Sequence, residues 1–122
     1  MATLRVQVRQ IPAKSDDDTS APLVVVAISG EAVVALEPLV SGLQSVAESH
    51  PQRVVLDLSG LSFMSSLAMG VVLAFRRHVL AQNGSLKVAA VQKMVLDSFK
   101  RARLDKVFEL TETLDGALTA LT

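Results

Sequence analysis

The chain has 122 residues, half of them hydrophobic, with 12 basic and 12 acidic side chains and a formal net charge of zero. That length predicts one domain over residues 1–122, large enough to bury roughly two-thirds of its unfolded surface without disulfide or metal staples. The absence of cysteine excludes disulfide and thiolate chemistry, and the balanced charge argues against bulk attraction to nucleic acid or an anionic membrane.

No segment reaches the ~18–20 consecutive apolar residues of a bilayer span, so membrane insertion is not expected. Met1-Ala2-Thr3-Leu4-Arg5 lacks the basic-then-apolar pattern of a signal peptide, and a cytoplasmic location is the expectation. With only four aromatic residues, all Phe, the core is to be built from Val, Leu, Ala and Met, which suits tight packing of helices on a sheet. A surface of mixed charge with no net sign is compatible with a monomer or a weak dimer.

Leu4 to Ile11 alternates apolar and polar residues and predicts a half-buried strand. Pro12 through Pro22 reads as a solvated hairpin loop; its Asp16-Asp17-Asp18 triplet lacks the Gly turn and the distant bidentate Glu of a cation loop, so no metal site is expected. Leu23 to Ile28 is apolar on both faces, which predicts a central strand ending at Ser29-Gly30. Helical spacing of Leu36, Leu39, Val40, Leu43, Val46 and Ala47 predicts a helix with Pro38 in its first turn and Ser49-His50-Pro51 at its end.

Arg53 to Leu58 is a third, largely buried strand, followed by a short loop. A helix then starts behind Ser65 and Ser66 and runs to about Gln82, with Met69, Val72, Leu73, Val79 and Leu80 inward. Asn83-Gly84 closes it with a pair suited to positive φ. Leu86 to Val91 is a fourth strand, Gln92 to Ala102 a helix with Val95, Leu96 and Phe99 inward, and Val107 to Leu110 a short last strand. Thr113 to Leu121 forms a final helix, with Leu114, Ala117, Leu118 and Leu121 facing in. The fold class is therefore α/β: a mixed sheet of about five strands, an antiparallel first pair and then parallel crossovers, covered by about four helices.

The stretch from Asp57 to Leu73 carries the chemistry. It places serine hydroxyls at a helix start, where unpaired backbone N–H groups and the positive end of the helix dipole suit a phosphate. From local pattern alone Ser66 reads as a helix cap. A catalytic serine needs a base, and the only histidines are His50, at the opposite end of the third strand, and His78, three turns down the helix. No nucleotide-binding glycine loop is present, so no catalytic residue, cofactor or enzyme activity is expected.

Asp57-Leu58-Ser59, Gly60-Leu61-Ser62, Phe63-Met64 and Ser65-Ser66-Leu67-Ala68-Met69-Gly70 resemble, in that order, the signature of the STAS family, the domain named for sulphate transporters and anti-sigma factor antagonists. Ser29-Gly30-Glu31, Asn83-Gly84 and Leu104-Asp105-Lys106-Val107-Phe108 extend the likeness over almost the whole chain. The resemblance implies a bacterial, stand-alone anti-sigma factor antagonist with Ser66 at the position of the phosphoacceptor serine and Ser65 as its alternative. It implies an anti-sigma factor that is also a serine kinase as partner, a phosphatase that resets the switch, and contact residues Met64, Ser65, Ser66, Leu67 and Met69. Three departures from the family pattern stand out: Ser65 replaces an Asp, Leu67-Ala68 replaces Ser-Gly, and Val33 stands where an Asp is common.

Two other readings share the sequence. One is a STAS adaptor or scaffold subunit without a phosphoswitch, in a lipid-transport or stress-sensing complex. The other is a small domain binding an anionic ligand, a nucleotide or a lipid, at the same helix start. The basic cluster Lys100, Arg101, Arg103 and Lys106 lies near a helix C-terminus, where positive charge is favourable in itself. With no aromatic stacking platform, direct nucleic-acid binding is not expected.

Overall fold

The computed structural model describes the backbone of residues 3–11 and 23–121, and the side chains of these up to residue 118. The Asp16-Asp17-Asp18 loop and the Leu121 side chain lie outside the described residues.

Strands β1 (Arg5–Ile11), β2 (Leu23–Ala32), β3 (Arg53–Asp57), β5 (Ser85–Ala89) and β6 (Glu109–Thr111) lie side by side in that order. The first pair is antiparallel and the rest are parallel, as the crossover pattern requires. β2 and β3 are the centre because their residues are apolar on both faces: Val24, Val26, Ile28, Val54 and Leu56 face one layer, Leu23, Val25 and Val55 the other. Helices α1 (Glu37–Glu48), α2 (Ser66–Ala81) and α3 (Lys93–Arg101) contribute to the larger core through Leu39, Leu43, Val72, Phe75, Val95 and Phe99. Helix α4 (Leu114–Leu121) covers the opposite face through Ala117.

The sheet has six strands among the described residues, one more than expected, because Leu61–Met64 forms β4 and not a loop. β4 pairs in parallel with the far end of β2, where the register shifts between Gly30 and Glu31. That bulge also carries β2 past the expected end at Ser29-Gly30 to Ala32. Gly30 is required there: its φ is +95°, and a Cβ would lie 2.2 Å from the carbonyl oxygen of Thr3.

Smaller differences have local causes. β1 is an edge strand, and Val8 is exposed. Val40 and Leu80 are exposed, not inward; the buried stripe of α2 centres on Ala68, Val72, Phe75 and Val79, and Leu80 lies about 80° round the helix from Val72. β5 stops at Ala89 because Ala90 takes a positive φ of 59°. Residues 104–108 are held in a turn by the N–H groups of Val107 and Phe108 on the carbonyl of Leu104, so β6 begins at Glu109.

Candidate functional site

The site begins with the turn between β3 and β4. Asp57 accepts the N–H of Ser59 at 3.0 Å, and Leu61 N–H reaches the carbonyl of Leu58 at 3.0 Å. These bonds reverse the chain locally and deliver β4 to the bulged end of β2, where Gly30 N–H meets the Gly60 carbonyl at 2.9 Å. β4 then leads directly into Ser65 and α2.

Ser65 is the helix cap. Its backbone is extended (φ −75°, ψ 166°), its carbonyl accepts the N–H of Met69 at 3.0 Å, and its Oγ accepts the N–H of Ala68 at 3.2 Å. The Ser65 hydroxyl also donates to the carbonyl of Val33 at 2.7 Å, and its N–H donates to the carbonyl of Ala32 at 2.8 Å. The cap therefore falls on Ser65 and not on Ser66. Ser66 is the first residue of α2, exposed, and its hydroxyl makes no hydrogen bond with any described residue. The two serines are adjacent in sequence and distinct in chemistry: one hydroxyl is committed twice, the other is uncommitted.

Of the residues expected at a contact surface, Ser66 and Leu67 are exposed and Ser65 is half-buried, whereas Met64 and Met69 are buried in the core, 1% and 4% exposed. The methionines form the floor of the site and cannot offer their full side chains to a partner. The structure adds residues that sequence reasoning missed. Val33 and Val34, in the loop tied to Ser65, are exposed, Val34 by 78%. Two adjacent valines outside any strand and just before the Glu37-Pro38 helix start were the available signal. The second addition comes from α3: an open cleft of about 330 Å³ is lined by Phe63, Ser65 and Ser66 on one side and by Ser98 and Arg101 on the other. Only the packing of α3 against β4 brings these together.

His78 Nε2 lies 3.3 Å from the Ala47 carbonyl and 3.0 Å from Gln82 Nε2, about 18 Å along α2 from Ser66, so it is no base for that serine. Lys100, Arg101, Arg103 and Lys106 are exposed around the C-terminus of α3, where the helix dipole favours them. Among the described residues no three His, Asp or Glu side chains converge as metal ligands, and no helix is long and apolar enough to cross a membrane.

Residues 12–117 match the family model of the STAS domain. An anti-sigma factor antagonist from Mycobacterium paratuberculosis is 28% identical, with 93% of each chain covered and a TM-score of 0.73. The anti-sigma factor antagonist SpoIIAA in its unphosphorylated form is 19% identical, with 95% of each chain covered and a TM-score of 0.71. The Bacillus cell fate determinant SpoIIAA in its phosphorylated form is 18% identical, covering 96% of this chain and 99% of that one, with a TM-score of 0.68. The SpoIIAA likenesses, at that identity, bear on the fold alone. The mixed sheet, the helix order and the match over residues 12–117 lead to one conclusion: the chain belongs to the STAS domain family.

Proposed function

We propose that this protein is an anti-sigma factor antagonist, an interaction module and not an enzyme, switched by phosphorylation of Ser66. The observation that carries this reading is the division of labour between the two serines. Ser65 is held by Val33 and Ala68, while Ser66 is exposed and uncommitted on the first turn of α2. A kinase can reach Ser66 without undoing the cap. The reading is further supported by the family and by the names of its structural neighbours, one of which is known in phosphorylated and unphosphorylated forms.

In the unmodified state, Ser66 and Leu67 together with Val33 and Val34 offer a largely apolar surface to an anti-sigma factor. Binding there displaces the sigma factor. If the anti-sigma factor is also a serine kinase, it moves the γ-phosphoryl group of ATP onto Ser66 Oγ, releasing ADP and passing the hydroxyl proton to a base of the kinase. The added charge of about −1.5 to −2 must be desolvated by any partner packed over it, and each ~1.4 kcal/mol lost is tenfold in affinity. Hydrolysis by a phosphatase restores the unmodified surface. On this reading the protein works in the cytoplasm alongside its partners, as a monomer or weak dimer, and acts through protein contacts and not on nucleic acid.

The test is phosphorylation of the full chain by the anti-sigma factor kinases of its host with ATP, followed by mass-spectrometric mapping. A single phosphate on Ser66, lost in Ser66→Ala and kept in Ser65→Ala, supports the reading. Modification elsewhere, or none by any of these kinases, contradicts it and favours a constitutive adaptor.

A further inference from the structure

The cleft beside Ser66 contains a cation whose partner is weak. Among the eight residues that line it, Arg101 alone is charged. Its Nη2 donates to Ser98 Oγ at 3.3 Å, and Ser98 Oγ in turn donates to the carbonyl of Met94 at 3.2 Å. No carboxylate among the described residues pairs with Arg101. A long hydrogen bond to a neutral hydroxyl orients a guanidinium but does not neutralise it.

We propose that Arg101 is an intramolecular clamp for the phosphate on Ser66, drawing the start of α2 and the end of α3 together across the cleft. The proposal rests on the reading of Ser66 as the phosphoacceptor. The cleft is open and has a volume of about 330 Å³, which leaves room for a phosphoryl group above the Met64 and Met69 floor. A guanidinium matches phosphate oxygens bidentately, a much stronger bond than the one Arg101 makes to Ser98. The C-terminus of α3, by contrast, disfavours an anion, and Arg101 is the group positioned to offset that.

The clamp gives phosphorylation a second effect besides added charge. It fills the cleft and occupies Arg101, so a partner loses both a recess and a cation. It also implies that Ser66→Asp is a poor mimic, because a carboxylate is shorter and carries less charge than a phosphoserine.

Phosphoserine installed at position 66 during translation, in the full chain, allows a direct test by ³¹P NMR titration from about pH 4 to about pH 8, around the usual second pKa near 6. The effect of the start of α2 on the phosphate is common to all variants and cancels in the comparison. The phosphate is expected to titrate about half a unit or more lower in the otherwise wild-type chain than in Arg101→Gln, with Arg101→Lys between them. The phosphate is also expected to raise the thermal midpoint with Arg101 present and not in Arg101→Gln. Superimposable titrations with and without Arg101 overturn the clamp. Because the phosphate is installed directly, this result is independent of whether a kinase modifies Ser66, and failure of the kinase assay contradicts the functional reading alone.

Discussion

The hydroxyl of Ser65 donates to the carbonyl of Val33 at 2.7 Å, tying the start of α2 to the loop that leaves β2. The same oxygen accepts the N–H of Ala68 at 3.2 Å. One small side chain thus fixes both the origin of the helix and the position of the exposed Val33-Val34 pair beside it. Ser66, one residue on, inherits a rigid setting while its own hydroxyl stays uncommitted.

Ser65→Ala removes the cap and the tether together and should destabilise the protein by about 1–2 kcal/mol. Ser66→Ala removes no hydrogen bond and should lie within about 0.5 kcal/mol of wild type. Urea unfolding of both variants checks this; equal losses would show that Ser66 shares the capping role.

Gly30→Ala should be severe. The left-handed backbone at φ +95° strains any Cβ, and that Cβ would collide with the Thr3 carbonyl, which is main chain and cannot rotate away. A loss of about 3 kcal/mol or more is expected, read as a collapse of the thermal midpoint or of soluble yield. Near-wild-type stability would mean that the bulge between β2 and β4 does not constrain position 30 to glycine.

Two helical glycines should respond with opposite signs. A Cβ at Gly42 would lie 2.6 Å from Val6 Cγ1 and 2.9 Å from Val6 Cβ, so overpacking of about 1–3 kcal/mol outweighs the ~1 kcal/mol gain in helix propensity. Gly70 has nothing within 4 Å, and Gly70→Ala should stabilise by up to about 1 kcal/mol. Differential unfolding of the pair is the check, and destabilisation by Gly70→Ala would contradict the packing of α2.

Val34 and Leu67 are 78% and 62% exposed, so a polar substitution at either should leave folding intact. If they belong to the partner surface, Val34→Asp and Leu67→Asp should each weaken binding of the anti-sigma factor about tenfold or more. Calorimetric titration beside a thermal melt separates the two effects. Unchanged affinity in both variants would remove the apolar loop from the interface.

The central strands were legible because Leu23–Ile28 and the Val54-Val55-Leu56 run within Arg53–Asp57 are continuous in apolar residues, a pattern that suits a doubly covered strand. The end of α2 was legible in Asn83, which takes the positive φ of 63° that its pairing with Gly84 suggested. β4 was not. Leu61–Met64 has only four residues, too few for an alternation to register, and its pairing depends on a bulge thirty residues earlier in β2. A serine pair at a helix start was visible, but which serine caps is decided by where the Ala68 N–H points. Arg101 enters the site only because α3 packs beside β4, a long-range consequence that no local motif encodes.

In the proposed switch, a phosphate on Ser66 governs binding of an anti-sigma factor. The most direct measurement is the affinity of the host's anti-sigma factor kinase for three forms of the full chain: unmodified, Ser66→Ala, and carrying phosphoserine at position 66. The first two are expected to bind alike, and the phosphoserine form at least about a hundredfold more weakly, a difference of about 2.7 kcal/mol. Equal affinity for all three would contradict it, leaving Ser66 an exposed first-turn residue and the protein a constitutive adaptor.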